Sequence, residues 1–368
     1  MVTSEKFSPA ELTEEACEHG YFTSCPHCRA KAEKKPQLEV IDGGLEKKES
    51  KETPEIGFYT EASSSHPDRN EDATIATKEY TGVFDGMGGE NAGDVASTIA
   101  AETFKLELDR IPNNASLEQK KELLQHAFEA THNAIKQNAE QNPEFKGMGT
   151  TATIALRHEG PEGSKLIIGQ IGDSRVYSIN GNQAKLETKD DSIVNFLVEN
   201  GTLDNDQDLE QKIPDIIKNN PQIIKTFKKP PETLSDIRRG VTQALGKQEI
   251  EPTITVIDAK PGSRFIITSD GIHDHLSDSE IAVIGAKDKS AQNISKELVE
   301  GSKKVFADEN NPRRKKDDDD KSAIVIDFPK KETQAVLNDL MAELSKVATD
   351  DEEDIHELSD EDLKKMAV

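Results

Sequence analysis

The chain has 368 residues, room for one large domain or two ordinary ones, and 33% of them are apolar, enough for a core beside long polar segments. Its 71 acidic residues outnumber the 46 basic ones and leave a net charge of −25, which argues against nucleic acid or an anionic membrane as a main partner and suits a protein that gathers cations. No apolar run is long enough to span a bilayer and no basic region leads into one at the N-terminus, so neither membrane span nor signal peptide is expected, and the expected location is cytoplasmic.

In chain order, residues 1–54 read as an extension. Cys17, His19, Cys25, His27 and Cys28 crowd together there, and these are all the cysteines of the chain, so no disulfide stabilises the main body. Cys25 and Cys28 have the C-x-x-C spacing with which two thiolates bind one tetrahedral ion, and Cys17 with His19 or His27 would complete a structural Zn²⁺ site. A redox pair, or no role at all in a tail, are the alternatives. Residues 30–54, rich in Lys, Glu, Pro and Gly without apolar periodicity, read as a linker.

The body begins with a strand at Ile56-Gly-Phe-Tyr, then a small polar loop from Ser63 that ends in Asn70-Glu71-Asp72 before a strand at Ala73 to Ala76. Next comes Thr81-Gly-Val-Phe-Asp85-Gly86-Met-Gly-Gly89, a carboxylate at the lip of a buried strand followed by glycines that let backbone approach closely and leave carbonyls free. A tight turn whose Asp caps the next helix is the plain alternative. If residues 73–84 form a hairpin, Glu71 and Asp85 meet at the same end of a sheet.

Apolar periodicity predicts two amphipathic helices over Asn91–Leu108 and Leu117–Asn138. Gly149-Thr150-Thr151 leads into a β-branched strand, Lys165–Gln170 is another, and Gly172-Asp173-Ser174-Arg175 interrupts before Val176–Ile179. Asp173 is either a functional carboxylate or part of a bulge paired on the surface with Arg175. The Asn180-Gly181 pair predicts a hairpin returning through Lys185–Glu187. Residues 190–240 are an excursion, irregular and Pro-punctuated, that reads as a flap or as a variable insertion.

The sheet resumes over Glu251–Asp258 and again from Arg264 into Ser269-Asp270-Gly271, repeating the pattern of a buried run closed by Asp-Gly. Helices are predicted at Asp278–Gly285 and Ser290–Phe306. The run Asp317 to Asp320 then precedes the apolar strand Ile324-Val-Ile, so that Asp320 stands at a strand boundary as Asp85 and Asp270 do. Residues 331–368 hold an amphipathic helix, Glu332–Val347, suited to docking on the body or to a protein partner, and an acidic tail.

Several hard oxygen ligands with glycine carbonyls beside them select Mg²⁺ or Mn²⁺, and carboxylates that converge need cations to hold them together. Two ions sharing one carboxylate would activate a water, which fits phosphoester hydrolysis. The motifs Asn70-Glu71-Asp72, Val83-Phe-Asp-Gly-Met-Gly-Gly89, Gly149-Thr-Thr151, Gly172-Asp-Ser-Arg175, Ser269-Asp-Gly271 and Asp320 before Ile324 occur in one order over residues 55–328. In that order they resemble the metal-dependent protein serine/threonine phosphatases, the PPM or type 2C family, in the form found in bacterial members.

The resemblance implies an α+β fold, a four-layer α-β-β-α sandwich of two antiparallel sheets flanked by helices, occupying residues 55–330 with a flap at about 190–240. It implies that Asp85 bridges two ions with Gly86 offering its carbonyl, that Asp270 and Asp320 complete the second site, and that Glu71 and Asp72 belong to the same shell. Asp173 with Asp270 resembles a third site found in some members. The implied activity is hydrolysis of phosphoserine and phosphothreonine in proteins. A catalytically weak phosphoprotein-binding or scaffold relative, and a small-molecule phosphatase, are the alternatives. Three departures stand out: Met87 where many members have His; Pro67 where the phosphate-binding Arg belongs, with Arg69 or His66 as substitutes; and Asp320-Lys321 where an Asp-Asn pair belongs, which leaves Asp319 open as the last ligand.

Overall fold

Strand alternation divides this chain into layers. In the computed structural model, which describes residues 53–88, 92–201, 240–311 and 318–330, Val83 faces one way into a core with Phe265 and Ile324, while its neighbour Phe84 faces the other way. Phe84 packs against Phe104, 5.5 Å between ring centres, and Phe104 meets Phe128 edge-on at 4.8 Å. These rings join strand β3 (Tyr80–Met87) to helices α1 (Gly93–Leu108) and α2 (Leu117–Gln141).

One sheet has the order β2-β3-β5-β6-β9, formed by β2 (Asp72–Ala76), β3, β5 (Ala152–Gly160), β6 (Gly163–Ile171) and β9 (Thr253–Asp258), with β4 (Gly149–Thr150) also paired to β3. The other has the order β1-β11-β10-β7-β8, formed by β1 (Glu55–Glu61), β7 (Arg175–Asn180), β8 (Gln183–Leu186), β10 (Arg264–Thr268) and β11 (Lys321–Asp327). The strand pairings are antiparallel. Helices α5 (Asp278–Gly285) and α6 (Ala291–Ala307) cover the second sheet through Ile281, Leu298 and Val325, and the four-layer sandwich is complete. Close packing of α6 on β1 requires Gly57, where a Cβ would lie 2.0 Å from the Gln292 nitrogen.

Local signals behave as their chemistry dictates. Ser116 and Gln119 exchange the two hydrogen bonds of a capping box that starts α2. The Asn180-Gly181 turn joins β7 to β8, with Gly181 at φ +55°. Two boundaries differ from the sequence reading. Asp85 lies within β3 rather than beyond its end, because β4 extends the pairing to Met87. Asp270 does not close a strand; β10 stops at Thr268, and Asp270 opens the short helix α4 (Asp270–His273).

Of the excursion after Asp190, residues 190–201 are described. They include α3 (Ile193–Glu199), capped by Ser192, which also bridges to Val241. The predicted zinc ligands Cys17, His19, Cys25 and Cys28, the rest of the flap, Gly89 and the helix over 332–347 lie outside the described residues. The chain divides into two compact units after Pro329, and the described elements belong to the first. Among the described residues no helix is long and apolar enough to cross a membrane.

Candidate metal centre

The loops at one end of the sandwich carry the candidate carboxylates. The β2–β3 hairpin sets Asp72 directly opposite Asp85, and the Gly86 N–H donates to the Glu71 carbonyl at 3.1 Å. The hairpin therefore brings Glu71, Asp72, Asp85 and Gly86 together, with Asp72 rather than Glu71 as the cross-strand partner of Asp85. An added Cβ on Gly93 would lie 2.8 Å from both Glu71 Oε2 and Gly86 O, so these two oxygens stand side by side at the first turn of α1.

Asp85 is held by its backbone, which leaves its carboxylate for other work. Its N–H donates to Thr151 Oγ1 at 3.0 Å, and its carbonyl accepts from Thr150 Oγ1 at 2.8 Å and the Thr151 N–H at 2.9 Å. Thr151 Oγ1 also meets Ser174 Oγ at 3.0 Å, which links this strand to the loop that carries Asp173. Arg175 ion-pairs with Asp190 at the base of the flap, with Nη2 to Oδ2 at 2.6 Å and Nε to Oδ1 at 3.0 Å, and reaches Asp173 only through its charge, which lowers the Asp173 pKa. The surface pairing of Asp173 with Arg175, one of the two sequence readings, does not form.

Asp72 is 1% exposed and accepts from Ser269 Oγ at 2.7 Å. Ser269 in turn accepts from the Ser322 N–H at 3.0 Å, so one serine couples the hairpin to β11. Asp320 is likewise buried, but both its oxygens are taken by backbone: Oδ1 by the Ser63 N–H and Oδ2 by the Glu71 N–H, each at 2.6 Å. It ties the 63–71 loop to β11. Asp318 does the same with the Ser64 N–H and hydroxyl, at 2.7 Å each, and buried Lys321 binds Asp318 and the Asp319 carbonyl.

Asp319, half-buried, accepts the Asp320 N–H through Oδ1 at 2.9 Å, and its charge acts on the candidate centre. After burial, the largest influence raising the Asp270 pKa is the Asp319 charge, and Asp319 also acts on Asp85. Asp320 acts instead on Asp72, Glu71 and His66. Asp274 is a residue the sequence reading missed: it follows Asp270 by one helical turn and raises the pKa of both Asp270 and Asp173. The Asp-x-x-x-Asp spacing after Ser269 was the available signal.

Burial, reinforced by neighbouring carboxylates, pushes Asp85 and Asp270 well above the usual carboxylate range, Asp72 up to about 8 and Asp173 to about 7. Burial also raises Glu71, although Arg69, its ion-pair partner, opposes this. His66 contacts the Arg69 carbonyl at 2.8 Å through Nδ1; burial lowers its pKa, but that carbonyl and the Asp320 and Glu71 charges outweigh it and leave the pKa raised.

This donor set fits divalent cations. It is all oxygen, its charges repel one another, and Asp270 Oδ1 is buried with no hydrogen-bond partner among the described residues. Among the described residues no three His, Cys, Asp or Glu side chains stand together as a closed ligand set. A pH dependence follows. A carboxylate with a raised folded pKa withdraws stability as pH climbs from its unfolded value near 4 toward the folded one. The chelated protein should therefore melt lower at pH 8 than at pH 6, and Mn²⁺ should raise Tm more at pH 8, where the ligands are ionised. Calorimetry with chelator and with Mn²⁺ checks this; a smaller Mn²⁺ effect at pH 8 would count against a carboxylate centre.

The protein phosphatase 2C family profile matches residues 68–304, and the chain belongs to that family. The serine/threonine protein phosphatase PstP of Mycobacterium tuberculosis is 32% identical over 212 residues, 58% of this chain and 35% of PstP, so the match spans about a third of that relative. Protein phosphatase PhpP of Streptococcus pneumoniae is 28% identical over 210 residues, 55% of this chain and 71% of PhpP. The crystal structure of M. tuberculosis PstP superposes with a TM-score of 0.57 at 26% identity, covering 75% of this chain and 99% of that one. The catalytic domain of PstP in complex with two manganese ions has a TM-score of 0.57 at 25% identity over 76% of this chain and 99% of that one.

Proposed function

We propose that this chain is a divalent-metal-dependent phosphatase acting on phosphoserine and phosphothreonine in proteins. The placement of Asp72 opposite Asp85 across the hairpin, with Glu71 Oε2 and Gly86 O side by side and the Asp270 and Asp319 charges acting on Asp85, carries the reading. Family membership and the two manganese ions named with the PstP catalytic domain support it. Asp85, Gly86 and Glu71 would hold one ion, Asp85, Asp270 and Asp319 the other, and Asp173, Asp270 and Asp274 are the candidates for a third. Bound cations supply the Lewis acidity and water activation that phosphoester hydrolysis requires.

The chain's own residues orient that centre. Thr150 and Thr151 fix the Asp85 backbone, Ser269 holds Asp72, and Asp320 closes the 63–71 loop over β11. That loop carries Arg69, ion-paired with Glu71, and His66, whose Nδ1 lies 3.7 Å from Asp320 Oδ1, and we assign them to the phosphate oxygens in place of the absent Arg at position 67. We also carry forward the division into an extension (1–54), a phosphatase domain (55–330) and a C-terminal segment (331–368) with a protein partner.

The test is hydrolysis of a phosphothreonine peptide with Mn²⁺ or Mg²⁺ and then with excess chelator. Turnover that needs the metal is expected. A folded, metal-loaded protein without turnover would favour the phosphoprotein-binding reading, which Pro67 and Met87 recommend.

A further inference from the structure

At the end of the sandwich away from the carboxylates, a pocket of about 180 Å³, part of it open to solvent, lies between the two sheets. Ile56, Ile326 and Phe328 form its wall on one sheet, and Thr81, Arg157 and Leu166 its wall on the other. Thr81 pairs with Ala155, a residue of the inter-sheet core, and Arg157 follows two positions along β5. Strand alternation therefore turns both polar side chains toward the opposing sheet.

Both are nine-tenths or more buried, Thr81 2% and Arg157 5% exposed, and each has an orphaned atom there. Arg157 Nη1 and Thr81 Oγ1 are two of the buried side-chain polar atoms with no hydrogen-bond partner among the described residues. Arg157 Nε donates to Glu159 at 2.7 Å, but Nη1 comes only within 3.8 Å of Glu79, beyond hydrogen-bond reach. A guanidinium N–H and a hydroxyl left unpaired between apolar walls disfavour the fold unless something accepts from them.

We propose that this pocket binds the carboxylate of a short aliphatic acid. One carboxylate oxygen accepts from Arg157 Nη1 and Thr81 Oγ1, and the alkyl body lies at the mouth against Ile56, Ile326 and Phe328. The enclosed part of the pocket is about the size of one water, which suits a single oxygen. The flanking Glu79 and Glu159 oppose any anion and a dianion twice as strongly, so a monoanion is favoured over a dianion and its apolar body supplies most of the affinity. The proposal does not depend on the phosphatase reading.

Butyrate is the probe, with inorganic phosphate as the comparison, against the full chain loaded with Mg²⁺. Saturation-transfer NMR should show contact to the butyrate alkyl protons, and calorimetry should show saturable binding. Thr81→Val, nearly isosteric, and Arg157→Lys should each weaken butyrate about tenfold, the effect of one lost charge-assisted hydrogen bond. Phosphopeptide turnover and Tm of Thr81→Val should stay near wild type, which keeps the test valid if Arg157→Lys does not fold. No saturable butyrate binding, binding unchanged in Thr81→Val, or phosphate binding as tightly as butyrate would each overturn the proposal.

Discussion

Asp85→Asn and Asp270→Asn should each abolish metal-dependent hydrolysis of a phosphothreonine peptide, by about a thousandfold or more, while leaving the fold intact. Each asparagine keeps the size of the side chain and removes a charge that the proposed cations need, and a loss of several kcal/mol of transition-state stabilisation is of that order. The fold should respond in the opposite direction. In the chelated protein burial raises the pKa of both carboxylates; the Asp270 charge raises that of Asp85 further, while a side-chain hydrogen bond with Asp85 lowers that of Asp270. Asparagine removes a charge that burial disfavours, so at pH 8 with chelator both variants should melt at or above the wild-type temperature. With Mn²⁺ the order should reverse, because the wild type alone gains the full stabilisation of ligand binding. Variants that melt well below wild type in chelator would show that the carboxylates support the fold rather than strain it.

The second large effect separates two adjacent aspartates. Asp319→Asn should reduce turnover about a thousandfold and weaken Mn²⁺ binding measured by calorimetry, whereas Asp320→Asn should stay within about tenfold of wild type. Asp319 dominates the repulsion on Asp270, but both oxygens of Asp320 accept backbone N–H groups from Ser63 and Glu71. An asparagine at 320 still accepts one of those bonds, so the loop is loosened rather than released, a stability change on the order of 1–3 kcal/mol. The opposite ranking would return the ligand role to Asp320.

Much of the centre was legible because its signals are local. The Asn-Glu-Asp loop, the β2–β3 hairpin and the glycines after Asp85 lie within twenty residues of one another, and period-two alternation fixes which face each residue takes. Asp270 was legible as a carboxylate after a buried run, though the chain turns there into a helix. Asp274 was less legible, because its one signal, the spacing of four from Asp270, becomes a shared face only when α4 forms.

By itself, the sequence determined the hairpins, the capped helices, the family resemblance and the acidic, metal-seeking character of the site, since each follows from composition or near-neighbour spacing. Only the tertiary structure gives Asp318, Asp319 and Asp320 different surroundings. Three identical side chains in a row carry no local distinction, and their fates depend on the register of β11, on the Ser63, Ser64 and Glu71 N–H groups some 250 residues earlier, and on buried Lys321. The same holds at the far end of the sandwich. Thr81 and Arg157 read as ordinary strand residues until two sheets close over them and leave one donor on each without an acceptor among the described residues.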